Sequence, residues 1–372
     1  MRIRLLFSGD FSPMGNSENL YSDELLEVLK DKDFSIVNLE CPLTHSEIKI
    51  TKTGHNFKSD PSNIINLCEA HFDAAALSNN HILDYGPEGV IETLETCKTH
   101  CIKTLGAGID KKTAAQPLQI TIKNKKICFF NYSEPEFQGA KNESAGGNTF
   151  DLIDAYYQIR KAKKENDYII ILYHGGLENQ YYPSLEMVKN LKFLIDSGSD
   201  AVIAHHTHRY SGVITYKDKP IFFGLGNFFS KTNSKNKKEW RFGIIAKIYL
   251  QYDAIDYELI PTEISEDFST VGLLTGERKN EVITHIHEIS KNIEDEQFIK
   301  SYWDEEYLKR APQIIRSIKS KSRNEYKLRK YFPWLFKRNL TNYQLLYMHN
   351  LIRCPTHRES LLHIFDHFLQ IK

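Results

Sequence analysis

The chain has 372 residues, with 48 Lys and Arg balanced by 48 Asp and Glu, 15 His, 6 Cys, 41% hydrophobic and 26% charged residues. A formal net charge of zero excludes binding of nucleic acid by bulk positive charge, and the composition excludes a disordered tail, a collagen or a disulfide-stapled mini-protein. At roughly 150 residues per domain, the length suits one large α/β domain with an appendage, or two domains.

From the N-terminus, Ile3–Phe7 reads as a strand, and the apolar run around it is too short for a signal h-region. No later window reaches the roughly 18 apolar residues of a membrane span, so the expected compartment is the cytosol. Further strands are expected at Ser35–Leu39, Ala74–Leu77, Ile120–Ile122, Ile127–Asn131, Tyr168–Tyr173, Ala201–Ala204, Gly212–Tyr216, Ile221–Gly224 and Phe242–Leu250. Tight hairpin turns are expected at Asn124-Lys125 and Lys217-Asp218. Helices are expected over Ser22–Lys30, Pro61–Ala70, Pro87–His100, Asp151–Glu165 and Ser184–Ser197, several opened by Ser, Asp or Pro. This alternation predicts a layered α/β domain over 1–262. Cys41, Cys68, Cys97, Cys101, Cys128 and Cys354 are scattered through it and read as reduced thiols.

Beyond about Glu263 the pattern turns helical, giving an expected C-terminal extension over 263–372. Its Glu288–Glu306 stretch carries seven acids against two lysines. Lys309–Arg338 then carries eleven Lys and Arg against Glu325 alone, interleaved with Tyr326, Tyr331, Phe332, Trp334 and Phe336. Such a run reads either as a solvated helical face paired with its acidic neighbour, or as a surface for an anionic polymer, a membrane or a synthase partner.

Nearly every strand of the first domain ends in polar residues able to bind a metal or transfer a proton. These are Ser8-Gly9-Asp10, Glu40, Ser78-Asn79-Asn80-His81 with Asp84 one turn on, His174-Gly175-Gly176, His205-His206-Thr207-His208, and Gly226-Asn227. Ligands of open α/β sheets bind at the carboxyl ends of the strands, so residues distant in sequence converge there. Singly, each has an ordinary structural explanation such as an Asx turn or a helix cap. Three imidazoles in four residues are harder to explain without a cation or carboxylates to hold them. His81, Asp10 and Asp84 are the candidate catalytic groups; Asn79, His205 and Asn227 are candidate substrate contacts. Carboxylate, imidazole and amide oxygen around one point suit a borderline divalent ion such as Zn, Mn or Fe(II). Without metal, Asp10 or Glu40 facing His81 or His208 would form an acid/base pair.

These segments resemble the capsule-synthesis CapA family, also called poly-γ-glutamate synthesis proteins, which has the calcineurin-like metallophosphoesterase fold. The matching motifs are Ser8-Gly9-Asp10, Asn38-Leu39-Glu40-Cys41-Pro42-Leu43-Thr44, Ser78 through Gly86, Tyr173-His174-Gly175-Gly176, His205 through His208, and Gly224 through Phe228. The resemblance spans residues 1 to about 250 and implies a four-layered α/β/β/α sandwich with a helical C-terminal appendage. It implies that Glu40 bridges two metal positions, with Asn80, His174 and His206 completing one and Asp10 and His208 belonging to the other. His81 would be the proton donor. Ser12 stands where the pattern has a histidine, which favours a single ion at the Glu40, Asn80, His174 and His206 position.

The function so implied is a metal-dependent hydrolase using one or two divalent ions. Its substrate would be a phosphoester or an amide-linked anionic polymer or peptide, in making or modifying a cell-surface polymer. Members in that pathway commonly carry a membrane anchor; here 309–338 would substitute at the membrane surface. Two other readings are a metal-independent acid/base enzyme, such as a Cα epimerase acting on a peptide, and a non-catalytic accessory subunit of a polymer synthase.

Overall fold

In a computed structural model of the chain, residues 2–14, 19–230, 238–251, 254–318 and 342–369 are described. In chain order come β1 (Ile3–Ser12), α1 (Asp23–Lys30), β2 (Phe34–Leu39), α2 (Ile64–Glu69), β3 (Ala74–Ala76), α3 (Gly86–Thr99), β4 (Lys103–Leu105) and β5 (Ala107–Gly108). Then follow α4 (Lys111–Ala114), β6 (Leu118–Ile122), β7 (Lys125–Ser133), β8 (Gly146–Gly147), α5 (Leu152–Ala162), β9 (Tyr168–His174), α6 (Leu185–Asp196) and β10 (Ala201–His205). The remaining strands are β11 (Val213–Tyr216), β12 (Lys219–Phe222), β13 (Asn227–Ser230), β14 (Phe242–Leu250), β15 (Ile255–Ile264) and β16 (Val271–Leu273). The chain closes with α7 (Gly276–Ile293), α8 (Glu296–Ile318), α9 (Asn342–Arg353) and α10 (Pro355–Leu369).

The helices begin where short polar side chains satisfy free amides. Ser22 caps α1 through the Leu25 amide, Asp151 caps α5 through Ile153 and Asp154, and Ser184 caps α6 through Met187. Both hairpins turn on paired left-handed residues, Lys217-Asp218 as expected but Lys123-Asn124 one residue earlier than expected. Two consecutive positive φ angles give the twist that lets β6 run back along β7.

One sheet has the order β16-β15-β14-β1-β2-β3-β4, with β13 also pairing to β1; the other runs β11-β12-β10-β9-β7-β6. Alternation along the strands sorts the core. Leu5, Phe7, Ile36, Ala74 and Ala76 face the second sheet, where Phe7 meets Phe129 at 6.3 Å between ring centroids. Leu6, Val37, Leu39 and Ala75 face outward onto Leu25 and Leu29 of α1, Leu67 of α2 and Val90 of α3. On the far side of the second sheet lie Ala155 and Ile159 of α5 with Leu191 and Leu194 of α6. The result is the four-layered α/β/β/α sandwich the resemblance implies.

The strands do not stop at the expected 262/263 boundary. That division falls inside β15, whose ladder with β14 runs through the Phe242–Glu263 pair, and β16 extends the sheet further. Charged residues along β15 conceal it in the sequence, because its exposed face is polar while the backbone ladder holds it. The helices that follow share the core. Ile286 and Ile289 of α7, Trp303 and Tyr307 of α8, Leu351 of α9 and Ile364 of α10 are buried in the same apolar cluster as the sheets.

A buried carboxylate fastens the last two helices. Glu134 follows β7, and its Oε1 accepts from Tyr173 Oη at 2.9 Å and Thr356 Oγ1 at 2.7 Å, while Oε2 accepts from Cys354 Sγ at 3.1 Å. Gly175 leaves room for it, since a Cβ there would sit 2.6 Å from Glu134 Cγ. All six cysteines are unpaired, four of them buried. No helix among the described residues is long and apolar enough to cross a membrane. Residues 319–341, most of the basic aromatic segment, lie outside the described residues.

Glu134→Ala strands several buried donors, each costing about 1–3 kcal/mol when left unpaired. The variant is expected to unfold at lower urea concentration and to lose hydrogen-exchange protection first in α9 and α10. Unchanged protection there would show that Glu134 does not hold these helices.

Candidate functional site

The carboxyl ends of β1, β2, β3, β9 and β10 open onto one cavity of about 820 Å³. Asp10 does not itself line it but lies behind His208, which does; it is carried on β1, which runs beyond its apolar stretch because β2 and β13 pair with it on either side. The register of β1 slips at Asp10 against both neighbours, a bulge that re-aims the side chain. Gly9 permits the approach. The Asp10 amide donates to the Gly226 carbonyl at 2.9 Å, and a Cβ on Gly9 would lie 2.0 Å from that oxygen.

Two clusters form around Glu40, which follows β2. Glu40, His174 and His206 each offer an atom within 4.8 Å of the others, and so do Asp10, Glu40 and His208. Glu40 Oε1 lies 3.5 Å from His174 Nε2, and Oε2 lies 3.6 Å from His208 Nδ1. Asn80 Oδ1 is 3.0 Å from the same His174 Nε2, and His206 Nδ1 is 3.1 Å from it. Asp10 Oδ2 is 3.4 Å from His208 Nδ1. His206 and His208 both hold positive φ, at 97° and 57°, a costly conformation for a side chain that is not glycine. Backbone strain is thus spent on aiming these two rings.

Burial dominates the electrostatics. It pushes the Glu40 carboxyl well above the carboxylate range, and the neighbouring Asp10 charge adds to this. For Asp10 burial acts the same way, but the hydrogen bond and charge of His208 outweigh it, and the group stays below its usual value. Burial opposes the charge on His208, yet Glu40 and Asp10 raise it to about 10. Burial and then the neighbouring imidazoles push His174 well below its ordinary value, leaving a neutral ring with a lone pair.

This donor set fits a divalent cation. Glu40 Oε1 is a buried oxygen with no hydrogen-bond partner among the described residues, which is costly unless a cation meets it. Carboxylate, amide oxygen and neutral imidazole suit a borderline ion, and cysteine takes no part. Ser12, in the place of the absent histidine, lines the cavity.

His81 also lines the cavity, from the loop after β3. Its Nδ1 lies 2.7 Å from Asp84 Oδ2, which places the proton on Nδ1 and leaves Nε2 for other partners. Burial, and then the Lys52 charge, lower its basicity. Asp84 does not line the cavity, which corrects the expectation of direct catalysis. It is fully buried, accepts from the Phe57 amide at 2.7 Å and pairs with Lys52, so it orients His81.

The three expected substrate contacts are likewise internal struts. Asn79 donates to the Leu39 carbonyl at 2.8 Å and accepts from the His81 amide at 3.1 Å. His205 turns its Nε2 toward the Ser8 carbonyl at 3.3 Å. Asn227 accepts from His208 at 3.0 Å and donates to the Trp240 carbonyl at 3.0 Å. None of the three lines the cavity. Both pairs sit where the strands have ended: β10 stops at His205 and His206 takes φ 97°, while Asn79 and Asn80 form the turn after β3, and these turns aim His206 and Asn80 into the cavity and leave His205 and Asn79 behind it.

Several residues of the site are not legible in the sequence. Asn38 bridges the clusters, its Nδ2 lying 2.8 Å from Asp10 Oδ1 and 3.3 Å from His174 Nδ1; a polar residue between Val37 and Leu39 was the available signal. Lys52, whose side chain is 4% exposed, lies 3.2 Å from His81 Nδ1 and carries no sequence signal. Trp240 packs on His208 with centroids 4.2 Å apart and the rings tilted by 31°. The C-terminal helices supply a whole wall, with Arg310 from α8, Asn350 and Leu351 from α9, and His357 and Ser360 from α10.

A family model described as bacterial capsule synthesis protein PGA_cap matches residues 9–232, the span from Gly9 through Asn227 that carries both clusters. The capsule biosynthesis protein CapA of Bacillus anthracis is 28% identical over 209 residues, covering 54% of this chain and 51% of its own length. The PGA biosynthesis protein CapA of Bacillus subtilis strain 168 is 24% identical over 205 residues, 54% of each chain. The chain therefore spans about half the length of these curated relatives. Among solved structures, the 5'-nucleotidase from Candida albicans SC5314 superposes with a TM-score of 0.43 at 13% identity, over 72% of this chain and 52% of that one.

Gly9→Ala sets a methyl against the Gly226 carbonyl, where neither backbone can yield without moving Asp10. The expected loss is about 1–3 kcal/mol or more in urea unfolding. A variant as stable as the parent would show that β1 and β13 are not held at this spacing in solution.

Proposed function

The chain belongs to the bacterial capsule synthesis protein PGA_cap family, and on that premise we propose that it is a metal-dependent hydrolase. Its substrate would be a phosphoester or an amide-linked anionic polymer or peptide, in the synthesis or modification of a cell-surface polymer. One observation carries the reading: two sets of metal-capable side chains meet at Glu40, whose buried Oε1 has no hydrogen-bond partner among the described residues. Glu40, Asn80, His174 and His206 would hold one divalent ion, and Asp10 and His208 would share Glu40 at a second position. Such an ion, when bound, polarises a phosphoryl or acyl oxygen and lowers the pKa of bound water.

The chain's own residues do the rest. Asn38 orients Asp10 and His174 from behind. Trp240 packs against the His208 ring and, with Phe57 over His81, keeps water from the inner end of the cavity. His81, oriented through Nδ1 by Asp84, would deliver a proton from Nε2 to the leaving group. Lys52 beside it disfavours a resting imidazolium and so makes that proton easier to give up. The C-terminal helices close the outer wall and limit which substrates enter.

Elemental analysis and turnover of three variants test the assignment. Glu40→Gln and His206→Ala are expected to lose both metal and turnover. His81→Ala is expected to keep its metal while losing about 10²–10⁴-fold in rate on p-nitrophenyl phosphate or a γ-linked glutamate oligomer. Full metal content in the Glu40 and His206 variants would sink the ligand assignment. Turnover that survives exhaustive chelation, with solvent deuterium entering at Cα, would instead favour acid/base chemistry without metal.

A further inference from the structure

Arg310 projects from α8, well beyond the family-matched residues 9–232, yet lines the same cavity as Glu40, His81, His206 and His208. It is half-buried, and its Nη2 donates to the Glu178 backbone carbonyl at 3.2 Å. No carboxylate among the described residues lies within ion-pair distance of it. Glu306, one turn earlier, is taken by Lys309 Nζ at 2.7 Å and Gln180 Nε2 at 3.2 Å, and Glu136 accepts from Asn350 at 3.1 Å. Burial weakens the guanidinium's hold on its proton, a cost that the charges of Glu306 and Glu178 offset in part. A guanidinium has five N–H donors in a planar fork, and the bond to Glu178 uses one. A half-buried cation facing a cavity with donors to spare is suited to an oxyanion supplied by a ligand.

We infer that Arg310 binds an oxyanion of the substrate, a carboxylate or phosphate group outside the reacting bond, and so sets substrate choice from the C-terminal helices. The inference rests on the hydrolase reading for its substrate, but its test does not need turnover. Calorimetry on the full chain as purified would use a γ-linked glutamate trimer, the same trimer with its α-carboxyls amidated, and inorganic phosphate, with metal content measured in parallel.

Arg310→Gln is expected to weaken binding of one anion by about ten-fold or more while leaving metal content and affinity for the amidated trimer unchanged. Arg310→Lys should recover part of the loss, because an ammonium restores the charge without the fork. Loss for the carboxylate trimer identifies a carboxylate, and loss for phosphate alone identifies a phosphate group; either supports the inference. Equal affinity of parent and Arg310→Gln for both anions overturns it, as does equal weakening of the charged and amidated trimers, or a parent chain that binds neither anion. Should the chain hold no metal yet bind anions in an Arg310-dependent way, the hydrolase reading fails and this one stands.

Discussion

Two carboxylates, Asp10 and Glu40, are buried together beside one shared histidine, and most of the surrounding architecture keeps them there. Removing a carboxylate from water costs several kcal/mol unless hydrogen bonds and opposite charge replace the lost hydration. Asp10 obtains both, from Asn38, the His206 amide and His208. Glu40 obtains less, and its carboxyl is pushed toward the neutral form as a result. The proton that His208 retains up to about 10 marks a place where positive charge is strongly favoured. Such a place is built around anions that cannot leave, and the two-sheet sandwich holds them there.

The holding is done by backbone more than by side chains. Gly9 lets β1 come against Gly226, the bulge at Asp10 turns its carboxylate inward, and left-handed residues at His206 and His208 turn two rings, two residues apart, toward the same cavity. Each device carries a cost in packing or strain that the sheets must absorb. They can do so because each sheet has apolar layers on both faces, with fully buried residues such as Leu5, Leu6, Ile171 and Val202.

The C-terminal helices are part of this economy and not a loose addition. Their apolar faces join the core of the sandwich, Glu134 ties α10 to the end of β7, and Trp303 reaches the Pro183 carbonyl at 2.7 Å. The loop after β9 is thereby clamped between the histidine cluster and α8. The cavity's metal-capable floor and its outer wall consequently come from parts of the chain more than a hundred residues apart. The floor lies within the family-matched span and the wall lies outside it.

By itself the sequence determined what depends on local periodicity and local chemistry. The apolar strand runs, the helix starts at Ser22, Asp151 and Ser184, and the recurrence of Asp, Glu, Asn and His at strand ends are all short-range patterns; a layered α/β domain follows from them, and the four layers only from the family resemblance those motifs carry. Only the tertiary structure decided what depends on register and on distant partners. It separated His206 from His205 and Asn80 from Asn79, made Asp84 the support of His81, and brought Lys52 beside that imidazole. It also paired the charged β15 with β14 and carried α8 to α10 over the cavity. Periodicity predicts which face a residue takes along its own element; which neighbour waits on that face is set by contacts that span the whole chain and leave no local mark.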